Sequence, residues 1–313
     1  MKFKKPKFWD YKKPNFLSYL LLPLTLPIII NNFFLNRKKK NSINHKIKKI
    51  CIGNIYIGGT GKTPLTIKIY QILNDLNFKT ATIKKFYTDH ADEQMILTQK
   101  TRLYSMKSRK KALCEAVKDN IDIVIFDDGL QDHSMNYDLK FVCFNNIKWI
   151  GNGRLIPSGP LREKVECITK YDAVFINGNE KDNTHLKMLI KKYNTNIKIF
   201  ESFYAPVNIR QFDTNDRYVI FSGIGNPESF KETLIKNKLN IVKEIIFPDH
   251  YKYTQYDIDN IKLQAKNLNA IILTTEKDYV KIDLNNSKNI HFLKIDLNIV
   301  KKEELINFLQ AHV

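Results

Sequence analysis

The sequence contains little glycine and proline and few cysteines. Among its 313 residues are 11 glycines, 10 prolines and 4 cysteines. Because disordered tracts are rich in glycine, proline and polar residues, this composition argues against long disordered tracts. The cysteines at 51, 114, 143 and 167 lie far apart, without Cys-x-x-Cys pairs or companion histidines. We therefore interpret them as reduced core thiols of a cytosolic protein rather than as metal ligands.

Acidic side chains are nearly absent from the first fifty residues. This stretch contains 13 Lys or Arg and one acidic residue, Asp10, so it carries +12 of the net charge of +19. The excess suggests an anionic partner. Because the charge lies beside an apolar segment rather than along an aromatic-studded strand or helix, nucleic acid is not the expected partner.

That apolar segment lacks an uninterrupted run of twenty apolar residues. Residues 16–35 read FLSYLLLPLTLPIIINNFFL, with lysines before the segment and Arg37 and three lysines after it. Two prolines and two asparagines interrupt a spanning helix, which needs about 20 apolar residues. A signal peptide would need a small-residue cleavage site where the basic cluster stands. We expect a membrane-associated segment (about 8–40) that lies in or dips into the cytoplasmic leaflet. The alternative is a helix packed on the protein's own core.

A glycine-rich turn follows the first apolar strand of the sequence. Residues 53–64 read GNIYIGGTGKTP and precede an apolar pattern of helical spacing. Backbone N–H groups of such a turn can surround phosphate oxygens, Lys62 adds positive charge, and the Thr63 hydroxyl can ligate Mg²⁺. Tyr56 stands where the strict Walker pattern has a glycine, and a chance glycine-rich turn is the alternative. We predict nucleoside triphosphate binding by Tyr56, Ile57, Gly58, Gly59, Thr60, Gly61, Lys62 and Thr63.

A second apolar strand ends in two carboxylates. Residues 121–126 run directly into Asp127 and Asp128, and Asp127 comes 65 residues after Lys62. A buried parallel strand can deliver such carboxylates to Mg²⁺ beside a phosphate loop, as in a Walker B element. An ordinary strand-to-turn boundary is the alternative, since Asp-Asp-Gly is common there. The shared α/β pattern favours the metal role.

Three further positions remain ambiguous when judged by their residues alone. The polar loop at 151–163 contains Arg154 and Arg162, which either contact phosphate or are solvated charges. Asp92 falls in the first turn of a predicted helix, where carboxylates ordinarily act as caps. His250 follows a predicted strand, where histidine is more often a surface residue than a catalyst.

The order of elements predicts two domains. A chain of 313 residues exceeds the usual size of a single core. Strands and helices alternate throughout, which predicts an α/β fold with mostly parallel sheets and helices on both faces. We predict a P-loop NTPase-like domain over 1–205, a smaller α/β domain over 206–313 and a hinge near 205–216.

Six motifs occur in a fixed order along the chain. They are GN with GGTGKTP within 53–64, DDGLQ at 127–131, GNGRL with GPLRE within 151–163, GIGNP at 223–227, FPDH at 247–250 and TTEKD at 274–278. This order resembles that of the tetraacyldisaccharide 4′-kinases of lipid A biosynthesis, and the likeness spans roughly residues 8–282.

The resemblance implies a P-loop kinase that uses ATP and Mg²⁺. Such an enzyme transfers the γ-phosphate to the 4′-hydroxyl of a tetraacylated glucosamine disaccharide 1-phosphate, forming lipid IVA. It implies a peripheral or monotopic protein at the cytoplasmic face of the inner membrane, with the lipid substrate as partner. It also implies Asp92 as general base, His250 as the partner of that base and Lys62 as the holder of β- and γ-phosphates. The implied metal site comprises Thr63, Asp127, Asp128 and Glu163, and the implied substrate contacts are Asn152, Arg154 and Arg162.

The chain departs from the family pattern in two stretches. Family members usually carry Ser-Arg-Gly-Tyr-Gly after the strand that follows the P-loop helix, whereas this chain has KKFY at 84–87. The Gly and Pro that flank Asp-Glu in the family are replaced here by Ala91 and Gln94.

A membrane-associated P-loop ATPase switch of the partitioning type is the alternative function. Ile57 stands where that class has its signature lysine.

Overall fold

The described part of the chain forms two compact units. The computed structural model describes residues 5–37, 47–87, 91–132, 134–178, 182–283 and 285–313. Unit 1 comprises Met1–Phe86, Thr101–Phe203 and Asn298–Val313, and unit 2 comprises Tyr87–Lys100 and Tyr204–Leu297. Each predicted domain is one continuous range of the chain. In the structure, Tyr87–Lys100 belongs to unit 2 and Asn298–Val313 belongs to unit 1. The hinge near 205–216 stays a prediction.

Unit 1 is built on an eight-stranded sheet, ordered β12-β7-β6-β5-β1-β4-β2-β3. Its strands are β1 (Lys48–Gly53), β2 (Thr80–Lys85), β3 (Leu103–Met106), β4 (Ile123–Asp127), β5 (Leu139–Asn145), β6 (Ala173–Gly178), β7 (Lys198–Pro206) and β12 (Ile295–Ile299). The chain passes between the units within β7 and β12. The helices of unit 1 beyond its N-terminal segment are α3 (Lys62–Asp75), α5 (Arg109–Lys118), α6 (Thr184–Tyr193) and α10 (Lys302–Gln310).

The central strands of this sheet place the phosphate loop. β4 pairs in parallel with both β1 and β2, so the carboxyl ends of these three strands lie at one edge of the sheet. All five residues of β4 are buried, as expected of a parallel strand covered on both faces. The glycine-rich turn leaves β1 at this edge and leads into α3. Ligands bind at such edges in open parallel sheets.

Unit 2 contains a four-stranded sheet, ordered β11-β10-β8-β9. Its strands are β8 (Arg217–Ser222), β9 (Asn240–Ile246), β10 (Ile271–Thr275) and β11 (Ile290–Leu293), and its helices are α4 (Ala91–Lys100), α7 (Pro227–Lys236), α8 (Gln255–Asn267) and α9 (Glu276–Tyr279). The pairs β8/β9, β8/β10 and β10/β11 are parallel. The predicted mostly parallel α/β fold is confirmed for both units.

The N-terminal segment turns polar residues inward and apolar residues outward. It contains α1 (Phe16–Leu20), a 3₁₀ turn at Leu22–Thr25 and α2 (Leu26–Arg37). Ser18 and Thr25 are buried, whereas the exposed large apolar side chains include Phe16, Leu17, Tyr19, Leu20, Leu22, Leu24, Leu26, Ile30 and Phe34. No helix among the described residues is long and apolar enough to cross a bilayer. The predicted basic flanks at 2, 4 and 38–40 lie outside the described residues.

Trp9 fastens this segment to the body of unit 1. Its side chain is 1% exposed, and its indole Nε1 donates to the Pro157 carbonyl at 2.9 Å. The Ser158 hydroxyl donates to the Ser18 carbonyl at 2.5 Å. The Asn32 side chain donates to the Arg162 carbonyl at 3.1 Å. The segment is therefore bonded to the 151–163 loop along its length.

Residues 290–299 do not form one continuous strand. The structure has two strands, β11 and β12, that belong to different sheets. Between them, Lys294 donates its N–H to the Asn208 side chain at 2.8 Å and accepts from the Val207 N–H at 2.9 Å. These bonds replace the ladder to β10 and end the first strand.

The cysteine prediction holds for three of the four thiols. Cys51, Cys143 and Cys167 are buried and free, whereas Cys114 is free but exposed on α5. Burial raises the pKa of the Cys51 and Cys143 thiols, and raises that of Cys167 to about 12. These three thiols are therefore protonated and unreactive core side chains at neutral pH.

Candidate active site

Side-chain amides hold the glycine-rich loop in shape from two sides. Asn54 Nδ2 donates to the Tyr56 carbonyl at 2.6 Å and to the Thr60 hydroxyl at 3.0 Å. Asn177 Nδ2, at the end of β6, donates to the Thr60 carbonyl at 2.5 Å. Gly58 and Gly61 have φ angles of 125° and 84°, which only glycine adopts without strain. These bonds and glycine conformations together define the backbone path of the loop.

Tyr56, at the position of the missing Walker glycine, points away from the loop into a polar cluster. Its hydroxyl donates to the Asp10 carboxylate and accepts from Lys5 Nζ at 2.7 Å. Lys5 also pairs with Asp10 at 2.6 Å. The Tyr56 ring is buried, and burial raises the pKa of its hydroxyl. The first residue of the loop thus joins it to the N-terminal segment.

Three groups converge on the carboxylate of Asp127 at the end of β4. The Thr63 hydroxyl donates to Oδ2 at 3.2 Å, and the Thr66 hydroxyl donates to Oδ1 at 3.4 Å. Lys84 Nζ, from the end of β2, lies 2.5 Å from Oδ2. Lys84 and Asp127 are cross-strand partners in the parallel register of β2 and β4. The predicted pair Thr63 and Asp127 is therefore adjacent, and a lysine joins it.

The second carboxylate, Asp128, forms ion pairs with two cationic side chains. Lys62 Nζ lies 3.7 Å and the Arg162 guanidinium 3.2 Å from its Oδ1. Asp128 has a φ of 57°, a left-handed conformation that aspartate tolerates better than most residues, and Arg109 donates to its carbonyl at 2.6 Å. This backbone arrangement fixes the direction of the carboxylate.

Glu163 is held near these groups through Gln131. Gln131 Nε2 donates to Glu163 Oε1 at 2.9 Å and to the Asn54 carbonyl at 3.0 Å. Gln131 Oε1 accepts from the Arg162 guanidinium at 3.2 Å. The predicted residues Arg162 and Glu163 are thereby connected to the loop and to Asp128.

The oxygen donors at this edge suit magnesium. Thr63 Oγ1 and Asp127 Oδ2 are hard ligands only 3.2 Å apart. Within the described ranges, no cluster of three or more His, Cys, Asp or Glu side chains forms a metal cage. Mg²⁺ commonly binds through one or two protein oxygens and completes its shell with phosphates and water. The residues present fit that kind of site.

Unit 2 contains a separate cluster around Asp92. Asp92 lies in the first turn of α4 and is 2% exposed. His250 Nδ1 lies 3.0 Å from both of its carboxylate oxygens. His250 has a φ of 57°, and its N–H bonds to the Gly223 carbonyl at 3.2 Å and to Asp249 Oδ1 at 3.0 Å. The loops after β8 and β9 therefore aim the imidazole at Asp92.

Lys277 adds a positive charge to the same cluster. Its ammonium lies 3.5 Å from Asp92, 3.9 Å from Glu93 and 3.2 Å from Asp249. Burial tends to raise the pKa of Asp92, but the His250 hydrogen bond and the Lys277 charge outweigh it and lower the pKa to about 2. Burial tends to lower the pKa of Lys277, and the three carboxylates raise it instead. Asp92 is therefore ionised at neutral pH.

The match to known proteins extends over almost the whole sequence. The family model described as "Tetraacyldisaccharide-1-P 4'-kinase" matches residues 17–313. The chain belongs to the tetraacyldisaccharide 4′-kinase family. This confirms the predicted family and the predicted kinase class.

Curated relatives and a solved structure agree with this assignment. A tetraacyldisaccharide 4′-kinase of Pelagibacter ubique is 49% identical over 99% of this chain and 98% of its own length. Another, of Rickettsia canadensis, is 36% identical over 94% of this chain and 93% of its own length. The crystal structure of LpxK from Aquifex aeolicus in complex with ATP has a TM-score of 0.70, with 21% identity, and covers 94% of this chain and 99% of its own. That likeness supports the kinase fold.

Two of the substrate-binding predictions in this kinase fall on residues with structural contacts. Asn152 is buried, and its Nδ2 donates to the Ser18 hydroxyl at 2.8 Å and to the Ser158 carbonyl at 3.0 Å. The Arg154 guanidinium lies 5.5 Å from the centre of the Tyr19 ring. Both residues join the 151–163 loop to the N-terminal segment. Their predicted contacts with substrate stay predictions.

Sequence reasoning missed three charged or polar members of these clusters. Lys84 lies near the end of β2 beside Asp127. Gln131 connects Arg162 to Glu163, and Lys277 faces Asp92. Gln131 and Lys277 appear in the sequence analysis only as members of the DDGLQ and TTEKD motifs, without a role of their own. Their position after a strand, together with their side-chain chemistry, was the available signal. Lys84 had a related signal, since it lies near the carboxyl end of a strand, at the ligand-binding edge of the sheet.

Proposed function

We propose that this kinase transfers the γ-phosphate of ATP to the 4′-hydroxyl of a tetraacylated glucosamine disaccharide 1-phosphate, forming lipid IVA. The observation that carries the proposal is the placement of Lys62 beside Asp128 and of Thr63 beside Asp127 at the carboxyl edge of the large sheet, in a chain of this family. Such an edge combines inward-facing amides, a cationic side chain and hard oxygen ligands. These are the groups that a nucleoside triphosphate requires.

The loop residues 56–63 would bind the phosphates of ATP. Lys62 would leave Asp128 and pair with β- and γ-phosphate oxygens, since the present separation of 3.7 Å is a loose ion pair. Thr63 and Asp127 would hold Mg²⁺, with Asp128 and Glu163 orienting its surroundings. When bound, Mg²⁺ would supply positive charge to the phosphate oxygens. Arg162 would add a planar cation suited to the same oxygens.

Asp92 would act as the general base. A sugar hydroxyl is a weak nucleophile at neutral pH, so a carboxylate must accept its proton as the P–O bond forms. Asp92 suits this role because it is ionised and because His250 fixes both of its oxygens. His250 would stabilise the charge distribution of the pair as the proton arrives. The low pKa keeps Asp92 ionised and able to accept a proton at neutral pH, although it also makes the carboxylate a weaker base.

The N-terminal segment would bring the enzyme to its substrate at the cytoplasmic face of the inner membrane. A substrate with four acyl chains stays in the bilayer, so a peripheral enzyme must bind the membrane surface. The exposed apolar side chains of residues 16–34 support this role. A concentration of exposed apolar side chains of this kind is typical of a membrane or protein contact site. Nucleic acid is not among the proposed partners.

A phosphotransfer assay tests the proposal. The full chain is incubated with γ-labelled ATP and the disaccharide lipid in detergent, and a lipid already phosphorylated at the 4′-position serves as the control acceptor. We expect label in the first lipid and none in the second. Steady ATP hydrolysis without lipid transfer, stimulated by DNA or by self-association, would instead indicate a P-loop ATPase switch.

A further inference from the structure

Lys84 is buried beside a carboxylate of the proposed phosphate-binding site. It is the cross-strand partner of Asp127 and is 4% exposed, while Asp127 is fully buried. Its ammonium lies 2.5 Å from the same Asp127 oxygen that accepts the Thr63 hydroxyl at 3.2 Å. The Lys84 ammonium therefore lies where the loop threonine and the strand carboxylate meet.

This position has two electrostatic consequences. A buried ammonium attracts the negatively charged phosphates of a nucleotide, whether or not a metal is present. The same ammonium repels a divalent cation and neutralises the carboxylate that would attract it. Lys84 should therefore favour the nucleotide and disfavour the metal.

We propose that Lys84 is a built-in cation of the phosphate site, which makes nucleotide binding only weakly dependent on divalent metal and loosens the metal's binding. The inference rests on the proposed nucleotide function of the loop. Lys62 lies beside Asp128 rather than beside the Thr63 and Asp127 pair. Lys84 is thus a second, differently placed cation.

Nucleotide titrations without lipid test the inference. The dissociation constant of the full chain for ATP is measured in excess EDTA and in excess Mg²⁺. The value in EDTA divided by the value in Mg²⁺ is the ratio that is compared among variants. Lys84→Gln keeps a hydrogen-bond donor to Asp127 and removes the charge. We expect it to raise the ratio by on the order of tenfold, as expected for the loss of one charge-assisted contact. The affinity of Lys84→Gln for Mn²⁺ in the presence of ADP, measured by electron paramagnetic resonance, should be higher than that of wild type.

Two further variants control for folding and for general charge. Lys84→Arg keeps the cation and should keep the wild-type ratio. Lys79→Gln removes an exposed lysine just before the amino end of the same strand and should change neither measurement. A wild-type ratio in folded Lys84→Gln, or a raised ratio in Lys84→Arg, would overturn the inference. If wild type binds ATP under neither condition, the proposed nucleotide function itself fails.

Discussion

His250 Nδ1 lies at the same distance, 3.0 Å, from the two carboxylate oxygens of Asp92. This symmetric contact keeps the buried carboxylate ionised despite its removal from water. It also gives the pair one orientation, because the His250 backbone is itself held by Gly223 and Asp249. A base that is ionised at neutral pH and fixed in direction is what the proposed chemistry needs.

Removal of His250 should move the acid limb of activity to higher pH. In His250→Ala, burial would no longer be offset by the histidine hydrogen bond, so the pKa of Asp92 would rise. The pH dependence of kcat/KM reports this value for the free enzyme. We expect kcat/KM of His250→Ala to fall with decreasing pH already above pH 4. Wild type should show no such fall in that range.

Lys277→Met is the companion variant for this measurement. The Lys277 charge lowers the pKa of Asp92 without a direct hydrogen bond, so its loss should shift the limb in the same direction by a smaller amount. Identical pH profiles in all three proteins would show that Asp92 does not control the acid limb.

Asp92 should also make folding stability depend on acid pH. Its pKa of about 2 lies below the ordinary value near 3.9 of an unfolded chain. The contribution is therefore fully present above about pH 4 and is lost as pH falls toward 2, with a size of about 2 kcal/mol. The free energy of unfolding, measured for wild type and Asp92→Asn across this range, should converge as pH falls. A constant difference would contradict the low pKa.

Lys62→Ala should weaken ATP binding by on the order of tenfold or more, because a cation that pairs with phosphate oxygens is lost. Titration calorimetry measures the effect directly. Lys68→Ala removes another lysine of α3 and serves as the matched control. Equal losses in the two variants would point to general charge rather than to the loop.

The N-terminal segment should have separable structural and membrane faces. Trp9→Ala removes a buried indole and should lower the free energy of unfolding by about 3–5 kcal/mol. Phe16→Ala removes a side chain that is 79% exposed, so stability should change by less than about 0.5 kcal/mol. Binding of Phe16→Ala to anionic lipid vesicles should fall. Undiminished vesicle binding after joint replacement of Phe16 and Leu20 would argue against the membrane role.

Local sequence signals were sufficient for the loop and for most elements. Glycines at fixed spacing, followed by Lys62 and Thr63, specify a turn at a helix start whatever the rest of the fold does. The strand that ends in Asp127 was also evident from its continuous apolar run. β3 was missed because it has only four half-buried residues and lacks a clear pattern.

Contacts between distant segments were beyond such signals. Lys84 and Asp127 meet because β2 lies next to β4, and the alternation of strands and helices does not give strand order. Asp92 and His250 are separated by 158 residues, and only the family resemblance suggested that they pair. The split at Lys294 depends on the Asn208 side chain, which sequence periodicity does not report.

A rapid-quench experiment tests the central claim most directly. Enzyme preloaded with ATP is mixed with the disaccharide lipid, and the single-turnover rate of phosphate transfer is compared between wild type and Asp92→Asn. We predict unchanged ATP affinity and a transfer rate lowered by on the order of 10² or more, the scale of losing a positioned base. Transfer by Asp92→Asn at the wild-type rate would contradict the account.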